Sequence, residues 1–249
     1  MAIRRMRLSS DAEMLRYLDP ATGETLRVEA PIFFKEDFLG DNVVTDGTLR
    51  WLFTETSPAG GPGTIAIVDD GLGGQVLMSI ASASNEQASA RIDFGDNLQF
   101  DPSKGLFFEA RVALSKAASV YAATDVLIGL ASAHNIAADS IVSHVWFRLV
   151  DGYDLMFETD DGTLDDDDND LGVDVAEDTF NVLTFDATDL SRIKVYVDGV
   201  RKPDGNTTFN ASALTASEKL QPYIAVNRRS GTLLPDLLVD SVLVAQGGR

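Results

Sequence analysis

Eleven acidic side chains lie between Glu158 and Asp178, with no lysine or arginine among them. Clustered carboxylates at such a density can do two kinds of chemistry: they can coordinate a hard cation, or they can supply acid and base groups for hydrolysis. Read from Asp166, the series Asp166, Asp168, Asp170, Asp174 and Glu177 matches positions 1, 3, 5, 9 and 12 of a calcium-binding loop. Position 6, where such a loop needs glycine for its sharp turn, is Leu171, and Gly172 comes one residue late. No helical pattern flanks the segment, so an EF-hand is rejected, while Ca2+ held on a β-loop stays open beside an extended, hydrated acidic tip.

Other chemistry is scarce. There are no cysteines, which removes disulfides, thiolate metal sites and a cysteine nucleophile. The two histidines are His134, in a loop-like "SAHNIA", and His144, which shares a strand face with Trp146 and Arg148. Both read as ordinary surface or half-buried side chains. No Gly-x-Ser-x-Gly occurs, and the glycine-rich "AGGPG" and "DDGLGG" are not followed by a Lys-Ser/Thr helix, so neither a serine hydrolase nor a phosphate loop is indicated. Trp51, Trp146, Tyr121 and Tyr153 are the aromatics a sugar could stack on, but each reads as packing.

The elements that must position these groups are strands. From residue 31 onward, short Val/Ile/Phe/Leu segments are separated by Gly, Asp, Asn and Pro clusters. In "GLFFEARVAL" a period of two puts Phe108, Ala110, Val112 and Leu114 on one face. In "HVWFRL" it does the same for Val145, Phe147 and Leu149, and in "SRIKVYVDG" for Ile193, Val195 and Val197. About a dozen such segments predict an all-β, two-sheet antiparallel jelly-roll sandwich over 31–249. The basic stretch 1–30 reads as an N-terminal arm. There Ser10 and Glu13 form a capping box for a brief helix that Asp19-Pro20 would stop.

A net charge of −19 disfavours nucleic acid as a partner. No apolar run reaches the ~18 residues of a membrane span, and the N-terminus lacks a secretory h-region. The expectation is a protein that folds in a cytosol and reaches any exterior by another route.

"GLFFEARVAL", "VWFRLVDGYDLMFETDDGT", "FNVLTFDATDLSRIKVYVDGVRK" and "LQPYIAVNRRSGTLLPDLLVDSVLV" together resemble the concanavalin A-like lectin/glucanase superfamily, most closely in "KVYVDGV", where Asp198-Gly199 makes a tight hairpin turn. The flavour is similar to versions of this fold in tailed-bacteriophage virion proteins, among them capsid decoration proteins and tail or fibre modules. The superfamily's hydrolases carry Glu-x-Asp-x-x-Glu on one strand. Here Glu158 and Asp160 match, but Thr163 stands in the third position, so the resemblance implies no enzyme, and the two acids are expected to face solvent at a strand end. "TLDDDDNDLG" would then be a hairpin loop on the rim.

The resemblance implies a non-enzymatic virion structural protein, most simply a capsid decoration or cement protein on the capsid exterior, assembled in the host bacterial cytoplasm. The alternative is a lectin-like glycan-binding module of a phage tail or a bacterial protein. Arg4, Arg5, Arg7 and Arg16 of the arm would grip the major capsid protein or other virion subunits. A homo-oligomer, most simply a trimer at capsid three-fold positions, would sum weak contacts. No cofactor is required, Ca2+ being the one candidate, and a surface glycan is a further candidate partner.

Overall fold

The computed structural model describes residues 6–8, 15–18, 25–27, 32–38, 51–56, 63–68, 74–81, 87–95, 97, 100–203, 205–215 and 217–247. In chain order the strands are β1 Met6–Leu8, β2 Leu15–Leu18, β3 Thr25–Arg27, β4 Ile32–Glu36, β5 Leu52–Thr56 and β6 Thr64–Ile67. They continue with β7 Val76–Ser79, β8 Ala88–Asp93, β9 Leu106–Ala113, β10 Thr124–Ala131, β11 His144–Val150 and β12 Asp154–Asp160. The last are β13 Asp165–Asp174, β14 Asn181–Ala187, β15 Lys194–Val197, β16 Val200–Lys202, β17 Gln221–Arg228 and β18 Asp236–Gln246.

Two antiparallel sheets form the sandwich. One runs β13-β12-β11-β10-β17-β8-β5; the other runs β16-β15-β14-β9-β18-β7-β6, with β4 also paired to β18. The alternation read from the sequence fills the space between them. Val145, Phe147 and Leu149 from one sheet meet Phe108, Ala110 and Val112 from the other in a single buried cluster. Phe185, on β14, lies 6.3 Å from Phe147 and 5.8 Å from Phe157 between ring centroids, so aromatic contacts join the layers. The "VDGV" turn forms as expected. Val197 pairs with Val200, and Asp198 and Gly199 both take positive φ, 51° and 75°. Asp198 also accepts from the Val182 backbone N–H at 2.8 Å, tying the turn to β14.

Two expectations are corrected. The brief helix of the arm does not form over its second half: Leu15–Leu18 is a strand, paired on one side with Met6–Leu8 and on the other with Thr25–Arg27. A helix of fewer than ten residues is marginal on its own, whereas strand pairing satisfies backbone groups on both sides of β2. The second correction concerns the acidic run. Asp165–Asp174 is no rim loop but β13, the ten-residue edge strand of the seven-stranded sheet.

Candidate functional site

Every second residue of β10, β11, β12, β17 and β8 points away from the core, onto the outer face of the seven-stranded sheet. Pairing registers align these residues in rows. One row crosses Glu158, Trp146, Gly129 and Tyr223; the next crosses Met156, Arg148, Leu127, Ala225 and Arg91. Segment 132–143 lies over the middle of this face. Its Ala138 and Ile141 pack on Leu127, Ala131, Trp146, Tyr223 and Ala225 in a second apolar cluster. Gly129 permits the close fit there, since a Cβ would come within 2.4 Å of the Val145 carbonyl oxygen and 2.6 Å of Trp146 Cα.

Beneath that cover sits an ionic network. Arg148 donates from Nη1 to both Glu158 oxygens at 3.2 Å and to Asp139 at 2.8 Å, and from Nη2 to Asp125 at 3.1 Å. Trp146 Nε1 donates to Glu158 Oε2 at 2.9 Å. The side chains of Arg148, Asp125 and Glu158 are 8%, 2% and 1% exposed. Burial pushes the Glu158 and Asp125 carboxyls up, and Arg148 pulls both back. For Arg148, burial works against the charge, but Glu158, Asp125 and Asp139 more than offset it and hold the guanidinium above its ordinary range.

His144 adjoins this network. Its ring stacks on Trp146 at 3.6 Å between centroids and 7° between planes. Nδ1 lies 2.7 Å from the Ile141 carbonyl oxygen, which can only accept, so Nδ1 carries the proton and Nε2 keeps its lone pair. Nε2 is buried and makes no hydrogen bond. One ligand atom each of His144, Glu158 and Asp167 lie within 4.8 Å of one another. Asp167 reaches this point because β13 bulges between its pairings to Phe157 and Thr159, opposite Glu158. Partial burial, then Asp165, Glu158 and Asp139, push the Asp167 carboxyl up to about 7.

Burial holds the His144 imidazolium down, at about 4. Because the folded value lies below the unfolded one, the ring favours folding above pH ~6.5, and that contribution is lost as the pH falls toward 4. The expected result is an imidazole that stays neutral, with the proton on Nδ1, in 15N-resolved NMR spectra at pH 5. Protonation already complete at pH 6 would refute the buried setting.

The residues singled out from sequence fall as follows. Glu158 and Asp160 are not solvent-facing; they are buried, at 1% and 8% exposure, because β12 is an inner strand flanked by β11 and β13. Asp160 accepts from the Gly162 N–H at 2.7 Å. Asp161 accepts from Thr163, Leu164 and Ala213 N–H groups, so two acids of "ETDDGT" build a turn. Asp166, Asp168, Asp170 and Asp174 are strung along β13 and Glu177 lies beyond it, all outside the group of ligand atoms that comes together among the described residues. Asp166 accepts from the Asn169 side chain and Asp170 from the Gly172 N–H.

Trp51, Trp146 and Tyr121 are buried, and Tyr153 donates to the Lys116 carbonyl at 2.8 Å. Arg4 and Arg5 lie outside the described residues; Arg7 and Arg16 are register partners across β1 and β2. The buried polar groups that sequence reading passed over, Arg91, Asp93, Asp125, Tyr223 and Asn227, do carry a signal: each alternates with buried apolar neighbours, Ala90 and Ile92 on β8, Val126 on β10, Ile224 and Val226 on β17.

No family model matches the chain, and no curated protein matches it. Solved structures do. An endo-1,3-beta-glucanase from Streptomyces sioyaensis aligns with TM-score 0.57 at 16% identity, over 87% of this chain and 96% of that one. An endo-acting O-glycanase of the human gut microbiota aligns at 0.57 and 14%, over 86% and 98%. The Emp47p carbohydrate recognition domain aligns at 0.52 and 12%, over 85% and 93%. At such identities the likeness is one of fold, and the fold is the jelly-roll sandwich of concanavalin A-like, glucanase-type proteins.

Proposed function

We propose that this protein is a non-enzymatic glycan-binding module whose ligand face is the outer face of the seven-stranded sheet, at the end where β11, β12 and β13 meet. The observation that carries this is the chemistry of that end. The carboxylates of Asp139, Asp165 and Asp167 are exposed there, and Val142 and Leu164 are exposed large apolar side chains at 61% and 48%. Carboxylates accept from sugar hydroxyls, and apolar side chains cover the C–H face of a sugar ring. A net charge of −19 selects neutral or amino glycans over acidic ones. Support comes from the fold shared with a carbohydrate recognition domain and with two glycan-active enzymes.

Catalysis is disfavoured by the setting of Glu158. Both of its oxygens are occupied by Arg148 and Trp146 beneath the covering segment, so it is poorly placed to exchange protons with a substrate. A glycan array should show saturable binding to a neutral or amino glycan, without release of reducing ends. The pair Val142→Ser and Leu164→Ser should weaken binding at least about tenfold, since half-burying two such side chains is worth roughly 1.5–3 kcal/mol. Release of reducing ends that disappears in Glu158→Gln would replace binding by catalysis.

A second reading places this module on a virion exterior as a decoration protein, with the arm holding the major capsid protein and trimers at three-fold positions. The observation that favours it is the arm's own three-stranded sheet, β1-β2-β3, which sets Arg7 opposite Arg16. Retention of particle binding after deletion of residues 1–30 would overturn it.

A further inference from the structure

We infer that His144, Glu158 and Asp167 form a binding site for a borderline divalent cation of the Zn2+ or Mn2+ class, on the outer face where β11, β12 and β13 meet. The first observation is convergence: one imidazole nitrogen and two carboxylate oxygens from three adjacent strands lie within 4.8 Å of one another. The second is independent of the acids. His144 is 2% exposed, its Nε2 has no hydrogen-bond partner, and a buried acceptor without a donor is costly. The remaining contacts of the ring are those of a prepared ligand. A backbone carbonyl on Nδ1 fixes the tautomer that presents Nε2, and Trp146 clamps the ring from its face.

Glu158 is likewise oriented by Arg148 and Trp146, and a cation would take the place of the longer bonds, those at 3.2 Å from Arg148 Nη1, while Trp146 keeps its bond at 2.9 Å. The single positive charge of Arg148 is already shared among Glu158, Asp125 and Asp139. Asp167 is exposed and sits on the bulge of an edge strand, so it is the ligand free to close by the ångström or so that a ~2.0–2.2 Å metal–ligand distance requires. Imidazole nitrogen with carboxylate suits Zn2+ or Mn2+ better than Ca2+ or Mg2+, and three protein ligands leave a position for water. This set is distinct from the Asp166-to-Glu177 series, and it stands whether or not the face binds glycans.

The full-length protein, stripped with EDTA, should bind Zn2+ or Mn2+ with 1:1 stoichiometry in calorimetry. Zn2+ binding should move the His144 Nε2 resonance. Asp167→Asn should weaken binding at least about tenfold, and Asp174→Asn, on the same strand but outside the triad, should leave it unchanged. Asp167 is exposed, so its variant should fold; an unchanged melting temperature without metal verifies that. Absence of saturable binding, equal weakening by Asp174→Asn, or binding that leaves His144 Nε2 unmoved would each overturn the site. Glycan binding that persists in EDTA, or fails in the presence of metal, bears on the glycan reading and leaves this one standing.

Discussion

Replacing Arg148 by methionine is expected to cost about 3–5 kcal/mol of stability, among the largest effects of any single substitution outside the core. The guanidinium is the shared partner of Asp125 and Glu158, and neither carboxylate has appreciable access to water. Methionine keeps much of the apolar stem but leaves two buried negative charges facing each other's field. Arg229 reaches Asp125 at 3.4 Å from a half-exposed position, so Asp125 retains one partner; Glu158 retains only the neutral Trp146 indole and a backbone N–H. In a domain of this size the loss should lower the melting temperature by about 6–20 °C. The double variant Arg148→Met with Glu158→Gln should recover part of that loss, because the amide still accepts from Trp146 and carries no charge. If the double variant is no more stable than the single one, the cost lies in packing and not in stranded charge.

The same network shows where sequence reading succeeds and where it stops. Strand identity was legible wherever one face is apolar, because a period of two is imposed by the pleat itself: the buried faces of β9, β11 and β15 were named residue by residue. The "VDGV" turn was legible because Asp-Gly is among the few pairs that accept two positive φ angles. The acidic run misled for a physical reason. Aspartate is a poor strand former, so "DDDDND" reads as loop. An edge strand, however, is paired on one side only, and lining it with charge deters another chain from adding to it, so β13 tolerates there what an inner strand would not.

The arm misled in the opposite sense. Its capping box is a genuine local signal, but it cannot weigh one helical turn against pairing partners seven to eleven residues away. The candidate site was half legible. His144, Trp146 and Arg148 were placed on one face, yet their burial depends on segment 132–143 folding back over the sheet. Nothing in local spacing announces that, or that Glu158 would find its counter-ion on the next strand.

Phe157→Ala should destabilise the protein by about 3–5 kcal/mol, the expected cost of deleting a fully buried aromatic ring and leaving a cavity. Phe157 alternates with Glu158 on β12, so the two side chains face opposite ways: the carboxylate into the outer network, the ring into the sandwich. Its centroid lies 5.2 Å from Phe147 on its own sheet, 5.8 Å from Phe185 on the other, and 4.8 Å from Phe209. Phe209 is held by paired backbone hydrogen bonds to Ile193, at the entry to β15. The ring therefore joins both layers to the connection that closes one end of the sandwich. A cavity there is expensive because sheets whose ladders are all satisfied cannot slide together to fill it.

Phe157→Leu, which keeps most of the apolar volume, should cost distinctly less. Urea unfolding of the two variants gives the comparison, and equal losses would mean that the site relaxes around either side chain. Since the ring does not touch the outer face, Phe157→Leu should leave the His144 Nε2 resonance where it is in the parent protein. A stability loss with that resonance unmoved would separate what holds the sandwich together from what its outer face is built to bind.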